Sequence, residues 1–512
     1  MASQCAGHHR AHATPALSSA RRVGAGVAVA ATLLVSACAV GPNFKTPSPP
    51  QVSSYTPSPP SPTVAVPGTE AGETQRLVSS ADLPGDWWTL FHSTALNALV
   101  EQSLAHNHDL KAAQAALTVA RETALAQRGV YFPSVSASYS ASRQKQSNAL
   151  APTPDNNAFE FSLFTPELSV SYVLDVFGLN RRTVEAAKAQ ADAARFQMIA
   201  AHLTLTTNVA NAAIQDASLS AQIEATRELI DISSKSVEIL KYQLSKGYAN
   251  GLDLAAQEAQ LAQVTASLPP LVKQESQERD LIAVLAGRYP SQAPSEKVDL
   301  AALTLPSDLP LSLPSSLVAQ RPDVLQAQAN LHVASAQVGV AEANRLPNFQ
   351  LTANTGGTAL SAAEVFASGN TFWAFGAAAT APIFQGGTLL HQERAAKAAY
   401  VQAAEQYKST VLQSFQNVAD TLGAIDQDAQ ALKASGAAAG AAKTTLDLAQ
   451  RQYRSGYASY LSLLSAEQAY QQARIALVQA QAARYSDTVA LYQALGGGWW
   501  RRADLAKDHN AN

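Results

Sequence analysis

Two short stretches repeat one another, and that repeat limits what the chain can fold into. The first is Tyr242-Gln243-Leu244-Ser245-Lys246-Gly247-Tyr248-Ala249 and the second is Tyr453-Arg454-Ser455-Gly456-Tyr457-Ala458. Gly456 lies 209 positions after Gly247, and the same offset pairs Tyr248 with Tyr457, Ala249 with Ala458, Leu252 with Leu461 and Leu254 with Leu463. Each stretch sits between two long Ala- and Gln-rich segments of helical periodicity. A glycine just past the last periodic residue stops a helix, so each stretch reads as the tight turn of a long helical hairpin. Two further pairs extend the repeat: Asp175-Val176-Phe177-Gly178 with Ile383-Phe384-Gln385-Gly386-Gly387, and Tyr131-Phe132-Pro133 with Arg345-Leu346-Pro347. An internal duplication of about 200 residues follows. Its halves are expected at 86–300 and 301–500, with a polar tail at 501–512.

The helices are unusually long. No Pro or Gly interrupts Asn180 to Leu244, a run that spans roughly 100 Å as α-helix. Val184, Ala191, Met198, Leu205, Ala212 and Leu219 fall seven apart, as do Val411, Val418, Ile425 and Leu432 in the second half. Heptad spacing with abundant Ala predicts closely packed, supercoiled helices. Return helices are expected over Leu254–Ala286 and Leu463–Leu495. Pro269-Pro270 predicts a kink or break in the first of these, and Gly436 and Gly440 a local loosening of the second long helix.

Between the shorter helices and the long ones the period changes to two. Val135, Ala137, Tyr139 and Ala141 alternate with serines, and Phe349, Leu351 and Ala353 alternate with Gln350, Thr352 and Asn354. These are strands with one greasy and one wet face. Phe159–Val173 and Thr371–Thr380 read as their partners, the first weakened by Pro166. Phe159, Phe161, Phe164, Phe366, Phe372, Trp373 and Phe375 gather nearby. An interfacial belt and the core of a soluble sheet explain them equally well. Four strands cannot close a barrel, and an open edge cannot sit in lipid. Membrane strands would therefore have to be pooled, eight in a dimer or twelve in a trimer.

The N-terminus predicts export. Arg21-Arg22 precedes an apolar run, Val23–Val35, that is too short for a membrane helix, and Val35-Ser36-Ala37-Cys38 resembles a bacterial lipoprotein signal. Residues 1–37 are then the signal peptide and Cys38 the lipidated first residue. Ala39, where an inner-membrane retention signal has Asp, implies transfer onward to the outer membrane. Residues 38–85, rich in Pro and Ser, read as a tether. A net charge of −3 offers nothing to a nucleic acid, and only 15% of residues are charged. No catalytic, phosphate-binding or zinc spacing is present. His106 and His108 do not share a helix face, and Asp109 reads as a helix start. Arg181-Arg182 reads as a solvated or lipid-headgroup pair.

Cys38-Ala39-Val40-Gly41-Pro42-Asn43-Phe44, Trp87-Trp88 with Phe91, Asp175–Gly178, the two Gly-Tyr turns and Tyr492–Trp499 resemble the outer-membrane factor family, the TolC-like efflux channels, in their lipoprotein (NodT-type) branch. The resemblance implies an α+β membrane protein. Three protomers would share a 12-stranded outer-membrane β-barrel, continued by a 12-helix periplasmic α-barrel with a mixed equatorial domain. It implies a passive, gated exit duct of a tripartite efflux system in the outer membrane of a Gram-negative bacterium. Its partners would be a periplasmic adaptor and a proton-driven inner-membrane transporter. It implies no catalysis and no cofactor besides diacylglycerol and an N-acyl chain on Cys38. Gly247, Tyr248, Ala249, Gly456, Tyr457 and Ala458 would form adaptor-contacting tips. Asp253, Tyr453 and Leu461 match gate positions. Ser462 and Ser465 stand where family members carry carboxylates, which leaves Asp253 as the main acidic ring. On the residues alone, Asp253 reads as a solvated carboxylate favoured by a helix N-terminus. A lipid-anchored coiled-coil or adhesin stalk and a soluble periplasmic enzyme are the rival classes; a stalk needs neither duplicated strand pairs nor two tips, and the missing site and sparse core argue against an enzyme.

Overall fold

The computed structural model describes residues 39–59, 61–79, 81–145 and 160–506. The signal peptide, Cys38 and Phe159 lie outside them. Within the described residues the duplication is literal. Helix α3 (Leu179–Ser245) and helix α7 (Thr388–Arg454) have 67 residues each. Their return helices, α4 (Gly251–Leu285) and α8 (Tyr460–Ala494), have 35 each. The shorter helices are α1 (Thr94–His106), α2 (His108–Gln127), α5 (Pro314–Gln320), α6 (Pro322–Ala343) and α9 (Ala503–Ala506).

The chain divides into two compact units. One comprises residues 39–44, 125–187 and 333–400, the other 45–124, 188–332 and 401–506.

In the first unit, β2 (Ser134–Lys145), β3 (Glu160–Leu174), β5 (Asn348–Gly357) and β6 (Thr371–Thr380) form one antiparallel sheet in the order β2-β3-β5-β6. The register puts Val135, Val170, Ala353 and Phe375 in one row across the four strands, and Ala137, Leu168, Thr355 and Trp373 in the next. The opposite face carries Ser136, Ser169, Asn354 and Glu167. There Ser136 Oγ lies 2.8 Å from Ser169 Oγ, Gln350 donates to Ser171 Oγ at 2.8 Å, and Asn354 donates to Glu167 at 3.1 Å. Polar side chains dominate this face, which Phe161, Leu163, Val173 and Phe372 share. The other exposes Trp373 (79%), Phe375 (71%) and Tyr139 (63%). Within the protomer no packed core covers these rings. Pro166 is accommodated because β5 pairing ends at Glu167–Gly356, which leaves Pro166 paired only to Tyr139 of β2.

In the second unit Trp87, Trp88 and Phe91 pack against Tyr485 and Tyr492, with ring centroids 5.7–6.4 Å apart. The heptad positions Leu205, Ala212, Leu219, Val411, Val418, Ile425 and Leu432 are all buried. The expected break at Pro269-Pro270 does not occur, and α4 runs through both prolines. Helix α7 likewise passes Gly436 and Gly440 unbroken.

The stretch expected as a tether lies along the helices. β1 (Arg76–Ser79) pairs in parallel with β4 (Asp308–Leu311). The buried Arg484 donates to Ala71 O (2.9 Å), Glu73 O (3.2 Å) and Gln75 Oε1 (2.7 Å). Asn107, between His106 and His108, is a helix junction: its Oδ1 accepts from Leu110 N and its Nδ2 donates to Leu285 O. Among the described residues no group of His, Cys, Asp and Glu could hold a metal, and no helix is long and apolar enough to cross a membrane.

The two faces of the sheet set a test. Ala377 lies on the apolar face and Ala378 on the polar one. Ala377→Arg is expected to cost about 2–4 kcal/mol if that position meets mid-bilayer lipid, against little for Ala378→Arg. Recovery of folded protein from the outer-membrane fraction measures the difference, and equal recovery would remove the apolar face from lipid.

Candidate gate at the hairpin tips

Both hairpins turn by the same local chemistry. Gly247 and Gly456 take φ of 76° and 77°, in the left-handed region. Each lets the following tyrosine amide reach back five residues, Tyr248 N to Gln243 O and Tyr457 N to Gln452 O, both at 2.9 Å. That is a Schellman closure. The return helices start under side-chain caps, with Asn250 Oδ1 accepting from Asp253 N at 2.8 Å and Ser459 Oγ from Ser462 N at 3.3 Å. The turns present Tyr248 (82% exposed) and Tyr457 (88%), while Ala249 and Ala458 are half-buried beneath them.

Just behind the turns, polar bonds tie one hairpin to the other. Tyr453 Oη on α7 donates to Gln243 Oε1 on α3 at 2.9 Å. Tyr460 Oη on α8 donates to Gln257 Oε1 on α4. Gln257 Nε2 in turn donates to Glu467 Oε2 at 3.1 Å, and Ser236 Oγ of α3 donates to Glu467 Oε1 at 3.1 Å. Tyr453 and Tyr460 stack edge-on at 6.2 Å. Gln257 and Glu467 are buried. The network is flanked by an apolar cluster of Leu229, Val264, Leu446, Leu463 and Tyr470.

Burial pushes the Glu467 carboxyl above the usual carboxylate range, against the pull of its hydrogen bonds from Gln257 and Ser236. Burial and then the charge of Asp253 raise the Tyr453 hydroxyl. Burial, then Glu467 and Asp253, raise that of Tyr460. Asp253 therefore lies within electrostatic reach of both phenols. Leu461, the residue after Tyr460, is 67% exposed in the protomer.

Sequence reasoning singled out Tyr453 and Asp253 but not Gln243, Gln257, Tyr460, Glu467 or Ser236. Only the placement of Gln257 and Glu467 inside an Ala-rich seam could have flagged them, and a helical pattern does not separate such positions from a wet face.

The arrangement holds no nucleophile–base pair. It is a polar latch between two helical hairpins. A profile of outer membrane efflux proteins matches residues 99–288 and 313–497. The toluene efflux pump outer membrane protein TtgC of Pseudomonas putida is 28% identical, over 92% of this chain and 95% of its own. SilC, a probable outer membrane lipoprotein of Salmonella typhimurium, is 28% identical over 81% of this chain and 88% of its own. The MtrE outer membrane channel of Neisseria gonorrhoeae, solved in an open state, superposes with a TM-score of 0.75 at 27% identity, covering 91% of this chain and 99% of that one.

Two outcomes test the latch. Tyr453→Phe removes one hydrogen bond worth about 1 kcal/mol and is expected to raise open probability roughly fivefold in single-channel recordings. No change would take Tyr453 out of the latch. For Glu467 the neutral form escapes the cost of a buried charge. Its contribution is therefore complete below the ordinary carboxylate pKa and is lost as pH rises through the raised one. Opening should become easier from mildly acidic to alkaline pH, and Glu467→Gln should flatten that dependence. An equally steep profile in the variant would assign the pH response elsewhere.

Proposed function

This chain belongs to the outer membrane efflux protein family, and from that membership we propose that it is the outer-membrane exit duct of a tripartite efflux system. The observation that carries the reading is the polar latch of Tyr453, Tyr460, Gln257 and Glu467 behind two identically built tips. A closed path that opens when hairpins part needs such a tie. A coiled-coil stalk needs neither the latch nor a two-faced sheet. The duct does no covalent chemistry, and energy comes from its partners.

Three protomers complete the structure. The edges of β2 and β6 have no partner within the four-stranded sheet. Joining the β2 edge of one protomer to the β6 edge of the next pairs every strand and gives twelve in all. The two faces support this closure, with the apolar face toward lipid and the polar face toward a water-filled lumen. The six hairpins of α3, α4, α7 and α8 then form the periplasmic tube. A periplasmic adaptor meets the exposed Tyr248 and Tyr457 with their neighbours Gly247, Ala249, Gly456 and Ala458, and links them to a proton-driven inner-membrane transporter. Cys38 carries diacylglycerol and an N-acyl chain.

At the entrance Asp253 is tripled by symmetry. The hydroxyls of Ser459 and Ser462 lie 2.9 Å apart, so the second tip adds no charge at that position. Asp253 then sets cation preference, and Leu461 lines the constriction once neighbouring protomers are in place.

Conductance in planar bilayers tests the duct. Wild type is expected to give long-lived, mostly closed pores, and Asp253→Ala to reduce cation preference. Pores indifferent to the substitution would keep the duct and remove Asp253 from its constriction. No pore from a trimeric, lipidated sample would overturn the duct.

A further inference from the structure

Arg182, expected from the sequence as a solvated or headgroup-facing residue, is 4% exposed. Its guanidinium is spent on the segment that directly follows Cys38. Nε donates to Val40 O at 3.1 Å, and Nη2 donates to Gly41 O at 3.1 Å and to Asn43 Oδ1 at 2.8 Å. Nη1 pairs with Glu185 at 2.8 Å. A buried guanidinium is tolerated only when its donors are met, and here three of the four bonds go to residues 40–43.

The seat is shaped as well as charged. Val40 N donates to Phe177 O at 3.0 Å. A Cβ added to Gly41 would come within 2.3 Å of Gly339 Cα, so two glycines let the segment cross α6 in contact. A Cβ on Gly339 would strike the Arg182 side chain at 2.8 Å, and one on Gly178 would meet Ala39 at 2.8 Å. Ala39 is thereby held at the turn joining β3 to α3. There the ring of Phe177 lies 6.3 Å from that of Phe349, and Phe349 and Leu174 are paired in the row that ends the apolar face.

We infer that Arg182, with the Gly41–Gly339 crossing, is a docking site for the processed N-terminus of this same chain, and that it positions the acyl group of Cys38 at the margin of the apolar strand face. Residue 38 directly precedes the held Ala39 in the chain, so the seat tethers whatever group Cys38 carries. Arg182 is a positioning residue: it acts on the lipid through residues 39–43. The inference rests on the lipoprotein reading and adds to it a seat that chooses where the lipid enters the bilayer.

The test uses the whole lipidated protein in vesicles of outer-membrane phospholipid. The chain's two cysteines are Cys5 and Cys38. Once the signal is cut and Cys38 is acylated, Lys45→Cys is therefore the sole free thiol for a nitroxide label. The wild-type background is expected to give a broadened, ordered spectrum with a fixed ratio of oxygen to nickel-chelate collisions. Arg182→Met is expected to narrow the spectrum and shift that ratio, with lipid mass on the N-terminal peptide and trimer content unchanged. Arg182→Lys, which keeps charge but not the fork, should fall between. If Arg182→Met does not assemble, Asn43→Ala removes one bond of the same clamp and should narrow the spectrum in part. A lipidated protein whose label ignores both Arg182→Met and Asn43→Ala overturns the clamp and leaves the anchor standing. An N-terminal peptide without lipid overturns the lipoprotein reading and this inference with it.

Discussion

A sheet of four strands with one greasy face cannot be finished by one chain. Each backbone amide left at an edge in hydrocarbon costs several kcal/mol, and the edges of β2 and β6 have no partner within this sheet. Covering the apolar face with protein would relieve the exposed Trp373 and Phe375 but not the edges. Closure with further copies relieves both. The proposed trimer is thus driven by backbone hydrogen bonding, and the alternation of serines with Val135, Ala137 and Tyr139 decides which face turns outward.

The helical hairpins meet a different problem. A seam rich in alanine lets helices approach but buries little area per residue, so dispersion and apolar burial hold it weakly. A few polar bonds then weigh heavily. Tyr453 with Gln243, and Tyr460 and Glu467 with Gln257, each contribute on the order of 1 kcal/mol. In the proposed duct, a latch worth a few kcal/mol would keep the pore mostly shut and still let an adaptor with that much differential affinity for the open form release it.

What could be read from the sequence was whatever repeats or alternates. The Gly-Tyr turns, the equal hairpins and the two-residue period of the strands each follow from a local rule, and each stands where it was expected. What could not be read depends on residues far apart in the chain. Arg182 reads as a surface residue until Val40, Gly41 and Asn43 are brought to it, and Arg484 until Ala71 and Gln75 arrive. The Pro- and Ser-rich stretch has the composition of a linker, yet Leu83, Gln75 and Ala71 are buried. Pro269-Pro270 predicted a kink or break by local sterics, and α4 continues without a break. In the gate region Tyr453 was singled out only through the family resemblance. Gln257 and Glu467 were not, because nothing local distinguishes a buried amide or carboxyl in an Ala-rich helix from a solvated one.

Duplication made the hairpins equal in length, but the latch is not duplicated. The first hairpin supplies Gln243, Gln257 and Ser236, and the second supplies Tyr453, Tyr460 and Glu467. Had both halves kept one set of side chains, a hairpin could tie equally to either neighbour in a ring. Dividing amides from phenols and carboxyl makes the tie directional, so only unlike hairpins latch, and specificity comes from what the wrong pair lacks. In a ring of six alternating hairpins every hairpin has two unlike neighbours, one in its own protomer and one in the next. The latch described here joins the pair within a protomer. In the proposed trimer each protomer's two hairpins would then form a tied pair.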